Sequence, residues 1–216
     1  PMDANRLVPV TEKIIEKGIP VIALDSAINS NKILSLVSFN NFQGGKVIGE
    51  WLVNKLDNKS NVLILEGVSS QRSAIDRRNG FLTGLQQGNI NVLDTQSALW
   101  DKDMAEKIAT QWLEEFSDID AIICANDTMA LGVLRAMKKA ERSDILITGY
   151  DAINQVIQAI AQGEIAATID QSPDIQARIA VQMMVRHLET GESLPPLIFM
   201  PEIKLVSEEN VQLSLH

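Results

Sequence analysis

Short apolar runs of four or five residues, many of them β-branched, alternate along this chain with longer stretches in which apolar residues recur every three or four positions. The runs VIAL (21–24), VLIL (62–65), AIICA (121–125), ILITG (145–149) and IAATI (165–169) predict buried strands, and the longer stretches predict amphipathic helices. In order, the pattern predicts helix 4–17, strand 20–24, a short strand near 34–38, helix 43–56, strand 62–66, helix 73–87, strand 90–94 and helix 101–116. Strand 120–125, helix 127–139, strand 144–149, helix 152–162, strand 165–169, helix 174–190 and one or two strands within 197–206 follow. Such alternation predicts an α/β fold with parallel sheets and helices on both faces. Val47, Ile48, Trp51, Leu52 and Leu56 form the expected core face of helix 43–56, and Trp112 that of helix 101–116. Ala130, Leu131, Leu134 and Met137 do the same for helix 127–139.

Each of these five runs leads into a polar terminus. VIAL runs into Asp25-Ser26, VLIL into Glu66-Gly67, AIICA into Asn126-Asp127, ILITG into Tyr150-Asp151, and IAATI into Asp170-Gln171. The carboxyl edge of an open parallel sheet is where ligands bind. Asp127, at the start of a helix, has a plain structural use as a cap accepting backbone N–H groups. That use leaves Asn126 unexplained and makes it the better ligand candidate. Asp25, Asn126, Asp151 and Gln171 together form a neutral-to-acidic array of donors and acceptors, better suited to hydroxyl groups than to phosphates.

Composition narrows the choice. The chain has 28 acidic and 19 basic residues and a net charge of −9, which disfavours nucleic acid, whose phosphates require clustered Lys and Arg. The small basic groups around Arg72, Arg77 and Arg78, and around Arg135, Lys138, Lys139 and Arg142, read as solvated helix faces. No apolar run approaches the roughly 20 residues of a membrane span. The single Cys124 lies inside AIICA and reads as inert packing. No nucleophile elbow, phosphate loop or dinucleotide fingerprint occurs. His187 and His216 lack partners at metal-ligand spacing, so no catalytic residue, metal or cofactor is expected. Trp100 stands apart from the other tryptophans. It follows strand NVLDT (91–95) by a short loop, where it either packs on the surface or offers a flat apolar face to a sugar ring.

The opening Pro1-Met2-Asp3-Ala4-Asn5 reads as a loop after a strand, with helix-start signals in Asp3 or Asn5. The first sheet is therefore expected to open in mid-unit, and the chain to be a fragment.

Several stretches, in order, resemble the ribose-type periplasmic sugar-binding proteins, whose core is shared with the effector domains of lactose-repressor-type regulators. They are PMDANRLVPVTEKIIEKGIPVIALDS, NNFQGGKVIGEWL, RSAIDRRNGF, ICANDTMALGVLRAM, ILITGYDA and EIAATIDQSP. The resemblance implies a two-lobed fold of doubly wound parallel sheets that closes over a sugar. The remainder of the N-terminal lobe would occupy 1–39 and 172–203, and the C-terminal lobe 40–171 and 204–216. The first lobe would be incomplete in this chain. Carried over residue by residue, the implied ligand contacts are Asp25, Trp100, Asn126, Tyr150, Asp151 and Gln171, with Arg77 as a further contact. Ribose-specific relatives carry arginines where this chain has Ser26 and Ile75. Losing both removes charge-assisted bonds to sugar hydroxyls, so another pentose, a hexose or a polyol is as well suited. The implied function is capture of a monosaccharide or polyol in the periplasm, without chemistry, and its delivery to an ABC transporter permease; a chemoreceptor is a further implied partner. The alternative is a ligand-sensing domain of a lactose-repressor-type transcriptional regulator or of a sensor kinase. An α/β enzyme using Asp25 and Asp151 is the remaining, different class of reading.

Overall fold

The computed structural model describes residues 4–214, which run α1 (Val8–Ile15), β1 (Ile22–Leu24), β2 (Ser35–Ser38), α2 (Asn41–Lys55), β3 (Asn61–Glu66) and α3 (Arg72–Leu85). Next come β4 (Asn91–Ser97), α4 (Lys102–Glu115), β5 (Ala121–Cys124), α5 (Asp127–Lys139), β6 (Leu146–Thr148) and α6 (Asn154–Ala161). The chain continues through β7 (Ala167–Asp170), α7 (Pro173–Thr190), β8 (Leu197–Phe199) and β9 (Lys204–Ser207). It divides into two compact units, 1–40 with 171–202 and 41–170 with 203–216.

In the first unit β1, β2 and β8 form a parallel three-stranded sheet in the order β1-β2-β8. Helix α1 starts at Val8, later than the sequence signals indicate, because Pro9 falls in its first turn, where a missing N–H costs nothing. Leu7 is the N-cap and gives no side-chain bond. Of the two expected start signals, Asn5 contributes its carbonyl to the Val8 N–H, and Asp3 lies outside the described residues.

The second unit holds the larger sheet, ordered β4-β3-β5-β6-β7-β9. Strands β3 to β7 are parallel, and β9 closes the edge antiparallel to β7, a departure from an all-parallel reading. The chain steps one way from β3 to β4 and the other way from β3 to β5, so the order reverses between β3 and β5. A crevice opens at such a reversal, beyond the carboxyl ends of the strands. Strand β3 is buried from Val62 to Glu66 and β5 throughout, as strands covered by helices on both faces must be.

Glycines set how closely the helices approach. A Cβ on Gly45 or Gly49 of α2 would lie 2.4 or 2.5 Å from the carbonyl oxygen of Arg77 or Phe81 on α3. From the other side, a Cβ on Gly80 or Gly84 would lie 2.2 or 2.4 Å from the carbonyl of Phe42 or Lys46. Two small residues four apart on each helix thus interlock backbone to backbone. Gly132 does the same for α5 against the Lys102 carbonyl at the start of α4.

Two expected core faces are shifted in part. On α5 the buried set is Met129, Ala130, Gly132, Val133, Ala136 and Met137, while Leu131 and Leu134 are half-buried. On α2 Ile48 and Leu52 are buried as expected, together with Gly44, Gly45 and Gly49, while Val47, Trp51 and Leu56 are only half-buried. Trp51 lines a cavity of about 460 Å³ with Leu134, Met137 and Ile165, at the amino-terminal edge of the sheet. Trp112 is fully buried as expected and donates its indole N–H to Asp94 at 2.8 Å.

Candidate functional site

Five of the expected ligand residues belong to the second unit, at the carboxyl ends of β3 to β6. Arg77 on α3 is the hub that joins Trp100, Tyr150 and Asp151. Its guanidinium donates to Asn41 Oδ1 at 2.8 Å, to the Ala125 carbonyl at 2.7 Å and to Asp151 Oδ1 at 3.4 Å. It also stacks over the Tyr150 ring, 3.9 Å from the centroid, and lies 5.4 Å from that of Trp100. Arg77 is only 6% exposed. A delocalised, weakly hydrated cation with a rigid donor fork suits this place between two aromatic faces, as lysine would not.

Trp100 sits in the loop between β4 and α4. Strand β4 extends to Ser97, three residues beyond the predicted end, because its polar TQS segment pairs along the outer edge of β3. The turn is then tight, and Leu99 and Trp100 both adopt positive φ, 55° and 66°. Left-handed backbone costs a non-glycine residue about 1–3 kcal/mol and persists where the surroundings over-determine it. The restraints are visible. The indole N–H donates to Gln71 Oε1 at 2.6 Å, and the ring lies where a Cβ on Gly67 would fall, 2.1 Å away.

The capping role that the sequence suggests for Asp127 belongs to Asn126. Asn126 is the N-cap of α5, its side-chain oxygen accepting the Met129 N–H at 2.9 Å. Asp127 is the first helical residue and is fully buried. It accepts the Ile153 N–H at 2.8 Å and the Thr168 hydroxyl at 2.7 Å. Asp151 and Ala152 adopt φ of 118° and 55°, so α6 starts at Asn154, after a turn, and Asp151 does not open that helix. Tyr150 is fully buried, and burial pushes its hydroxyl well above the ordinary phenol range. Asp25 and Gln171 belong to the first unit. Asp25, exposed at the end of β1 with φ 64°, accepts the Ser26 hydroxyl at 2.9 Å. Gln171 follows β7, its carbonyl accepting from Gln176.

Burial raises the Asp127 carboxyl to about 7, against the opposing effect of the Thr168 and Ile153 donors. Its folded-state pKa lies above the unfolded value near 4. The stabilising effect of this proton is therefore full below about pH 4 and is lost as pH rises through about 7. Urea melts between pH 4 and 8 should show this downward slope, and the slope should be missing in Asp127→Asn. Cys124, packed behind Asp127, is held well above the ordinary thiol range by burial and by that carboxylate, and so is inert as a nucleophile. Among the described residues no group of three His, Cys, Asp or Glu side chains could hold a metal ion, and no helix is long and apolar enough to cross a membrane.

Sequence reasoning did not find Asn41, Gln71 or Thr168, nor the part that Gly67 plays, in holding Arg77, Trp100 and Asp127 in place. Only Gly67 carried a signal, a glycine directly after a buried strand, where another group approaches closely.

A family profile described as "Periplasmic binding protein domain" matches residues 1–193. The chain belongs to the periplasmic binding protein domain family. Among relatives of this periplasmic binding protein domain, the ribose import binding protein of Haemophilus influenzae is 33% identical over 192 residues, 89% of this chain. The chain spans 65% of that relative's length and 59% of the length of its Escherichia coli counterpart. Of solved structures, an ABC transporter periplasmic solute binding protein from Actinobacillus succinogenes 130z with bound D-allose superposes with a TM-score of 0.92. It is 29% identical, with 99% of this chain and 78% of that one covered. The fructose binding periplasmic domain of a hybrid two component system gives a TM-score of 0.87 at 26% identity, covering 99% and 71%.

Proposed function

We propose that this chain is the greater part of a periplasmic solute-binding protein that captures a monosaccharide or polyol, without transforming it, and delivers it to an ABC transporter. The observation that carries this reading is the second unit's cluster at the sheet reversal. Trp100 is held in a strained left-handed turn, and Asp151 is fixed by Arg77. A flat indole face suits the C–H side of a pyranose or furanose ring, and a carboxylate beside an arginine suits its hydroxyls. The sugar-binding names of the relatives support the same class. On the first unit, Asp25 and Gln171 carry the same kinds of side chain at the same kind of strand end, and we assign them as its ligand contacts. Ser26 and Ile75, in place of two arginines, favour a ligand other than ribose. The two-component likeness supports a second reading, a sugar-sensing domain of a sensor kinase, which would bind the same ligand class.

Thermal-shift measurements with D-ribose, D-allose, D-fructose and myo-inositol test the proposal. A true ligand at 100 times its Kd should stabilise the fold by about 2.7 kcal/mol. Trp100→Ala should abolish that response while lowering stability far less. A protein that responds to amino acids or nucleotides and to none of the sugars would refute the reading.

A further inference from the structure

The turn 150–153 combines two consecutive left-handed residues, Asp151 and Ala152, with no glycine among them. Such a turn needs an external hold, which comes from the Asp151 N–H donating to the Ile169 carbonyl at 2.8 Å and from one buried side chain. The Asp127 carboxylate takes the Ile153 N–H on one oxygen and the Thr168 hydroxyl on the other. Thr168 in turn receives the Ala152 N–H at 3.3 Å, and the Asp127 N–H donates to the Tyr150 carbonyl at 2.8 Å. Gly149 leaves the room for this arrangement, since a Cβ there would lie 2.0 Å from Asp127 Oδ1. Residues 150, 152 and 153 are therefore all tied to Asp127, directly or through Thr168, while Asp151 between them turns its carboxylate to Arg77.

We propose that Asp127 is a positioning residue for ligand binding, holding the left-handed turn that aims the Asp151 carboxylate and so setting the affinity of the site. The proposal rests on the sugar-binding reading above. An ionised carboxylate is a stronger acceptor than a carboxylic acid, so the Ile153 N–H is held firmly when Asp127 is charged and loosely when it is protonated. The other titratable groups acting on it are the Asp151 carboxylate, itself paired with Arg77, and the Cys124 thiol. Affinity should then weaken as pH falls through the neutral range, where burial places the Asp127 proton.

Asp127→Asn is a neutral stand-in of the same shape, and it separates positioning from folding because the two respond in opposite directions. Removing a buried charge should raise stability at pH 8, while affinity at pH 8 should fall about tenfold and lose its pH dependence. Thr168→Val, nearly isosteric, should also weaken binding about tenfold and speed hydrogen exchange at the Ala152 and Ile153 amides. The three sugars and myo-inositol named above are titrated calorimetrically at pH 6, 7 and 8 into the wild type and both variants. A wild type that binds, with both variants matching its affinity and pH profile, would overturn the proposal and leave the sugar-binding reading standing. A wild type that binds none of the four would overturn the reading and the proposal together.

Discussion

Replacing Arg77 with alanine is expected to abolish ligand binding and to destabilise the second unit by about 3 kcal/mol, because removing one member of a buried charged network leaves its partners uncompensated. Three acceptors lose their donor at once: Asn41 Oδ1, the Ala125 carbonyl and Asp151 Oδ1. The Ala125 carbonyl is the costliest, being fully buried at the sheet reversal. The aromatic faces of Tyr150 and Trp100 also lose the cation between them. Arg77→Lys should recover part of the stability and little of the binding, since an ammonium can reach one acceptor but cannot bridge three in a plane. Urea melts followed beside calorimetric titration with D-allose separate the two effects. An Arg77→Ala protein with unchanged midpoint would mean that the network is incidental to the fold.

Gly84→Ala should be nearly as damaging, although alanine is the better helix former by about 1 kcal/mol. Its Cβ would meet the Lys46 carbonyl at 2.4 Å, the Glu50 amide at 2.7 Å and the Gly49 Cα at 2.8 Å. All three are backbone atoms, which cannot rotate aside. Forcing α2 and α3 apart should cost up to about 3 kcal/mol, so the net loss should be about 2 kcal/mol. A lower urea midpoint with an unchanged slope is the expected signature. Equal or higher stability would show that the helix pair can slide without loss.

The sequence made the alternation of strands and helices plain because it is written in side-chain period, 2 or a continuous apolar run for strands and 3.6 for helices. Boundaries failed where tertiary structure overrides the period. Strand β4 continues through polar Thr95, Gln96 and Ser97 because an edge strand needs only one neighbour. Helix α6 begins two residues late because Asp127 captures the Ile153 amide. The core face of α2 was read correctly at Ile48 and Leu52 but extended too far toward Trp51, because hydrophobicity marks the large residues, whereas this helix also packs by its smallest, Gly45 and Gly49. At the site, polar residues at strand ends could be picked out one by one. The hub role of Arg77 could not, since it depends on α3, the end of β5 and the turn after β6 meeting at one guanidinium. Asn126 and Asp127 were separable only by geometry. Either can cap a helix, and the one in extended backbone, Asn126 with φ −151°, does so.

The two left-handed pairs, Leu99-Trp100 and Asp151-Ala152, bear on how this protein can change over generations. Glycine at Leu99 or Ala152 would relax the backbone, and a search for thermal robustness alone would find such substitutions readily. Each would also loosen the aim of the neighbouring Trp100 or Asp151. Selection for robustness and selection for ligand capture therefore pull these four positions in opposite directions, while the glycine-interlocked α2–α3 pair is constrained the same way by both. Adaptation to a new sugar is then expected to proceed by exchanging side chains such as Trp100 on a turn kept strained, rather than by relaxing the turn itself.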